Sequence, residues 1–379
     1  MSIDIDPTTT PAPLAASPAS DPGPSLDRAL DRFHRAGDEW SIGLTSHGPM
    51  VVEALDRVGR ADAIASWTDQ YVGHLVAPPT PPVAIDPGEW RRHLGDGDVL
   101  AWNELVRREL RTDPWTEVAA RWVERLVPGA ISAATHGLIR TAHAVRGLER
   151  AVTPTRIDEL ARAIAYWASR YDSLPGAGAD VSDTTGDLSF DDGLAAVPVV
   201  PPEARTDFLI SSRMARIDAD GFASAVAAVA LPDDAAAGAV AVASLGARIL
   251  ATNPQAEIAF VHAVTAPEAV LALAPNLPPE VARQATTEAF RSVAALWATY
   301  GEAPPQPPDV HPAGDAPTWD ALLAQAIDHD GDEHHSKLTV AGRELAGAGG
   351  DDGLLRWVVA GVLGVGAEPE ERTDPSADR

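Results

Sequence analysis

The sequence contains no cysteine, and that one absence removes several chemistries. Disulfides, iron–sulfur clusters, thiolate nucleophiles and Cys-rich zinc sites are excluded. Any metal must be held by His, Asp, Glu or a modified side chain. Positive charge is also scarce: 29 Lys plus Arg stand against 55 Asp plus Glu, a net charge of −26. Such a surface repels phosphate backbones and anionic lipids, which argues against nucleic-acid and membrane-surface partners and favours simple solubility. Long apolar runs are missing too. The longest uncharged ones, residues 221–232 and 235–247, fall short of the roughly 20 residues that span a bilayer. The N-terminal stretch MSIDIDPTTTPAPLAASPASDPGPS has no basic region and does not read as a signal peptide. A cytoplasmic location is therefore expected. Aromatic residues make up only 5% of the chain, yet ten are Trp, a residue that anchors helix packing or lines pockets for flat ligands.

What is present points to helix. The 379 residues, 45% of them hydrophobic, can form one large domain or two smaller ones. Alanine is frequent and β-branched runs are few. The pattern predicts an all-α protein: a disordered leader over residues 1–25, a single large helical domain over 26–364, and a disordered tail over 365–379. Ser25 can cap a helix carrying Leu26, Leu30 and Phe33. Pro49 fits the first turn of a helix bearing Val52, Leu55 and Val58. Residues 103–110 and 115–126 show apolar spacing of three and four. In TPTRIDELARAIAYWASRY, Thr153 or Thr155 supplies the N-cap, and Thr155 with Asp158 resembles a capping box. This helix is expected to stop at Leu174-Pro175-Gly176. PEVARQATTEAFRSVAALWATYG forms another long helix, ended by Gly301. Residues 174–204, rich in Gly, Asp and Pro, interrupt the pattern and are expected as a lid loop.

Common catalytic signatures fail. GAGGDD at residues 347–352 departs from GxGxxG at its last position, and no P-loop, GxSxG or HExxH occurs. The acidic run at residues 328–332 does not fit a calcium loop, because Thr339 stands where a bidentate Glu belongs. Histidine remains. Of the eleven, His47, His136, His143, His262 and His334 lie in apolar or small-residue helical contexts, while His34, His74, His93, His311 and His329 read as surface residues. A single His on an apolar face is usually a hydrogen-bonded core residue; five in one chain without cysteine suggest a metal site. His136 and His143 are seven residues, about 10 Å, apart along a helix axis. Metal-bound nitrogens lie about 2 Å from the ion, so the two can hardly share one. His136, followed by Gly137, is the better ligand, which leaves His143 as a neighbour of the ligands or a substrate contact. Lys337 is the only lysine; the other 28 basic residues are Arg. Lysine can lose its proton when buried and guanidinium cannot. The neutral amine can add carbon dioxide to become a carbamate with oxygen donors.

The segments EWSIGLTSHGPMVVEAL, SAATHGLIRTAHAVRGL, IDELARAIAYWASRY, FVHAVTAPEAV, WATYGEAPP and GDEHHSKLTVAGREL resemble, in order, successive blocks of questin oxidase-like proteins. Together they span roughly residues 30–345. The resemblance implies an all-α fold and oxygen-dependent oxidation or ring opening of anthraquinone-like aromatic polyketides in secondary metabolism. It implies Fe(II) held by His47, His136, His262, His334 and a carboxylated Lys337. Many relatives carry a histidine where this chain has Arg140, and His335 beside His334 is a second ambiguity.

On this reading Asp332 orients His334. Arg140 and Arg146 hold substrate oxygens, unless they sit in surface ion pairs, and His143 stands beside the ligands or touches substrate. Trp167 and Trp297 stack on a flat substrate or pack the core. The partners are the polyketide and dioxygen. The alternatives are a flavin- or NADPH-dependent Baeyer–Villiger-type oxidase, a metal-dependent hydrolase, and a metal-free helical binding protein.

Overall fold

A computed structural model describes residues 25–40, 43–77, 84–179, 186–206, 209–307, 316–328 and 333–365. The expected leader, apart from Ser25, and the expected tail, apart from residue 365, lie outside them. So do His311, His329 and Asp332. The protein is all-α. Among the described residues, short 3-10 turns and loops join sixteen α-helices and one two-stranded ribbon: α1 (Ser25–Ala36), β1 (Glu39–Trp40), α2 (Gly48–Arg57), α3 (Ile64–Tyr71), β2 (Leu75–Val76), α4 (Val99–Leu110), α5 (Trp115–Leu126), α6 (His136–Arg150), α7 (Pro154–Ser169), α8 (Phe190–Ala196), α9 (Ile210–Met214), α10 (Ala219–Ala227), α11 (Ala235–Thr252), α12 (Glu257–Leu273), α13 (Pro279–Tyr300), α14 (Trp319–Asp328), α15 (Glu333–Gly347) and α16 (Asp352–Val362).

Helix α12 is the axis of the fold. Phe260, Val261 and Val264 on its first half join a core built with α10, α11, α13 and α16. Ala266, Ala269 and Val270 on its second half join another built by α4, α5, α6 and α7. Small residues let the helices approach: a Cβ at Gly246 on α11 would collide with the Ala263 carbonyl of α12, and one at Gly137 on α6 with the Trp167 ring of α7. Ala235–Thr252 and Pro254–Asn276 are long and apolar enough to cross a membrane, a length the uncharged runs of the sequence do not suggest. Both are largely buried inside the protein, and they carry the buried polar residues Arg248, His262 and Glu268.

Several local signals act as expected. Thr153 caps α7 by accepting the Arg156 N–H at 3.2 Å, whereas Thr155 instead reaches Asp31. Pro49 lies in the first turn of α2. Helix α7 ends at Ser169, five residues before the expected stop, where Gly95 and Gly97 donate to the carbonyls of Ala168 and Ser169. The segment 174–204 is not a free loop where it is described. Leu174, Leu194, Val197 and Val200 enter the core, Leu188 pairs with Val229, and Asp191 binds Arg248 at 2.7 Å.

Polar groups also bind α1 to the bundle. Arg140 on α6 donates to Glu159 of α7 at 2.7 and 3.1 Å and to Asp38 at 2.8 Å. Arg162 reaches the other Asp38 oxygen at 3.0 Å, and His34 meets Glu159 at 2.7 Å. Arg156 donates to Asp27 at 2.8 Å. His34, expected at the surface, is thus largely enclosed. Burial pushes the Glu159 carboxyl up, but the Arg140 charge and the bonds from Arg140 and His34 override it and hold the group at about 2.

Candidate metal centre

Four helices, α2, α6, α12 and α15, pack in a closed ring in which each touches the next. Each contributes one histidine facing the middle, the arrangement by which helix bundles build metal sites. His47 precedes the first turn of α2, and its backbone N–H is held by the Tyr71 hydroxyl at 2.8 Å. His136 opens α6, His262 lies mid-way along α12, and His334 is the second residue of α15. All four are buried. Nε2 of His136 stands 2.5 Å from Nε2 of His47 and 3.2 Å from Nε2 of His262. The His334 ring lies 4.6 Å from that of His47 and 5.3 Å from that of His262, centre to centre. One ligand nitrogen from each of His47, His136 and His334 falls within 4.8 Å of the others.

The outward nitrogens fix where the protons are. His136 Nδ1 lies 2.6 Å from the Ala133 carbonyl and His262 Nδ1 2.7 Å from the Ile258 carbonyl. A carbonyl only accepts, so both Nδ1 atoms carry protons. His47 Nδ1 faces the Glu333 carboxylate at 2.5 Å and donates to it. Burial first, then neighbouring positive charge, lowers all three rings well below the usual imidazole range. They are neutral, and each keeps its lone pair on Nε2. The lone pair of His136 therefore meets that of His47 at 2.5 Å and that of His262 at 3.2 Å with no proton between them. That arrangement is repulsive unless a cation sits among them. Nitrogens about 2.1 Å from one ion at right angles stand about 3 Å apart, which the observed separations bracket.

The turn before α6 is strained to achieve this. Ala133, Ala134 and Thr135 have φ of 50, 55 and 71°. The left-handed conformation costs roughly 1–2 kcal/mol per non-glycine residue, and a β-branched residue there is an outlier. The turn brings the Ala133 carbonyl back onto His136 Nδ1. Strain of this kind concentrates at functional sites.

Lys337 is one turn beyond His334 and 2% exposed. Its charge is among the causes lowering the pKa values of His47, His136 and His262, so it bears on all three. The structure thus groups His47, His136 and His334 as a candidate metal site, sets His262 against His136 and His334, and buries Lys337 where it acts electrostatically on the cluster. His335 turns away towards Glu257 at 3.5 Å.

Other expected residues stand elsewhere. His143 Nδ1 pairs with Glu53 at 2.6 Å, beside a cavity of about 10 Å³, room for about one water and no organic substrate. The Arg140 guanidinium is committed to Glu159 and Asp38 and does not present itself to a substrate. Arg146 is buried against Glu268. Neither arginine is in the surface ion pair considered above. Trp167 is fully buried, its indole N–H on the Gly129 carbonyl at 2.8 Å. Trp297 packs over Gly301. Asp332 lies outside the described residues. The carboxylate that does orient a ligand, Glu333, was not legible beforehand: it precedes His334 in sequence but serves His47.

Glu333→Gln keeps the shape but weakens the acceptor. Loss of such an orienting carboxylate costs about 10–100-fold in metal affinity, and that is the expected fall in a metal titration; unchanged affinity would show that Glu333 does not orient His47. Comparison with protein-family models and with curated proteins finds no match to this chain.

Proposed function

We propose that this chain is a mononuclear non-heme iron oxygenase of the questin oxidase type. On this reading it uses dioxygen to oxidise or cleave the ring of a quinone- or hydroquinone-type aromatic polyketide. The carrying observation is the set of inward lone pairs on His47, His136 and His262, at separations that suit one cation. Imidazole nitrogens with one anionic oxygen suit Fe(II). The substrate class and dioxygen come from the sequence resemblance, and the absence of nucleic-acid and membrane partners from the charge balance.

Charge bears on Lys337. Neutral imidazoles leave a ferrous ion's two charges uncompensated in a buried site, and an ammonium would add a third, which burial disfavours. Loss of one proton from the ammonium, bonding of the neutral amine nitrogen to carbon dioxide and release of a second proton from that nitrogen give a carbamate with one negative charge. Arginine cannot do this, which accounts for a lone lysine at this position. When bound, iron would supply the electrons that activate dioxygen towards an electron-rich ring. The chain's own part is to hold the four rings with Nε2 inward. Glu333 and the carbonyls of Ala133 and Ile258 fix the proton positions, and burial excludes bulk water.

Lys337→Arg tests the assignment. It is expected to abolish iron binding while the helical circular-dichroism signal persists. Retained iron would refute the carbamate. The iron-loaded natural protein should consume dioxygen with an anthrahydroquinone-type phenol, and no uptake across such phenols would contradict the oxygenase reading.

A further inference from the structure

Tyr71 joins the candidate metal centre to a column of aromatic rings that leads to the surface. Its hydroxyl oxygen accepts the backbone N–H of His47 at 2.8 Å and the indole N–H of Trp40 at 2.9 Å. Its ring stacks on Trp67, with centroids 4.7 Å apart and planes 16° from parallel. The Trp40 ring meets the same tyrosine edge-on at 5.6 Å and stacks on His74 at 4.7 Å. Exposure rises outward: Tyr71 is buried, Trp67 and Trp40 are half-buried, and His74 is exposed.

Composition sharpens the point. Cysteine is absent and methionine occurs only three times, so the usual sulfur sinks for oxidising equivalents are nearly missing. Tryptophan and tyrosine are the next most easily oxidised side chains. Tyr166 also approaches the site, through Thr45 at 2.8 Å. Its ring, however, faces the guanidinium groups of Arg140 and Arg170, each 6.0 Å from its centroid. Both guanidiniums are paired with carboxylates; what Tyr166 lacks, among the described residues, is a stacked aromatic ring to pass the electron onward. Tyr71 has the stacked indole as its onward partner.

We propose that Tyr71 and Trp67 form an escape route for oxidising equivalents, which lets the metal-loaded protein reduce hydrogen peroxide at the expense of an external one-electron donor when no organic substrate is bound. This rests on the iron reading above. In each passage Tyr71 gives one electron to the oxidised centre and its phenolic proton to the peroxide oxygen being reduced. Trp67 then returns an electron to Tyr71, which takes up a proton from solvent. The oxidised Trp67, half-buried, takes an electron from a donor of the ascorbate class. Two passages, with two protons from solvent, convert one hydrogen peroxide to two waters and leave the chain unchanged.

The test is electron paramagnetic resonance on iron-loaded protein of measured metal content, frozen after addition of hydrogen peroxide without organic substrate. The natural sequence should give a radical shared by a tyrosine and a tryptophan. Trp67→Phe, which touches no ligand, should leave the signal on tyrosine alone and slow ascorbate-dependent peroxide removal. Tyr71→Phe should abolish the radical and shift oxidation, read by peptide mass spectrometry, to His47 and Met50. Loaded iron with no radical, or a radical unchanged in both variants, overturns the escape route while the iron reading stands. Zinc in place of iron overturns both.

Discussion

His136→Ala should leave a folded, helical protein that binds iron more than about 100-fold more weakly, since losing a ligand must exceed the 10–100-fold cost of losing a ligand's orienting partner. The ring of His136 is the hub of the cluster, in reach of Nε2 on both His47 and His262. His143→Ala is the matched control. It lies two turns along the same helix and is bound to Glu53, so iron affinity should be unchanged. Isothermal titration with ferrous ion under anaerobic conditions separates the two. Equal losses in both variants would mean that the site is not where the lone pairs converge.

Arg140→Ala should cost about 3–5 kcal/mol of stability, the range for removing one partner of a buried ion pair. The substitution strands Glu159 and Asp38, which are 3% and 4% exposed, and it loosens α1 from α6 and α7. Denaturant unfolding reads the effect directly. If Arg140 instead held a substrate, stability would barely change and only turnover would fall. The two outcomes distinguish a structural guanidinium from the substrate contact that the sequence invites.

Much of the fold was legible because its signals are local. Thr153, Pro49 and the apolar spacing of α4, α5 and α13 act through neighbours within one turn. The choice of His136 over His143 needed only the rise of a helix, and Lys337 stood out by composition. What stayed hidden depends on distant segments meeting. Glu333 lies 286 positions from His47, the ring it orients. The left-handed turn at Ala133–Thr135 carries no glycine to announce it. His34 looked like a surface residue because its sequence neighbours are polar, yet Glu159 arrives from 125 residues away to enclose it. In residues 174–204 the Gly, Asp and Pro content masked Leu194, Val197 and Val200, which fill the core.

The most direct measurement is a crystal structure of protein purified with its native metal, with diffraction recorded on both sides of the iron absorption edge. One iron per chain should appear among Nε2 of His47, His136 and His262, the His334 ring and the end of Lys337. Electron density should extend beyond the lysine amine by a carboxylate. Anomalous signal at any other place, a zinc edge instead of an iron one, or a metal-free cluster would contradict the account.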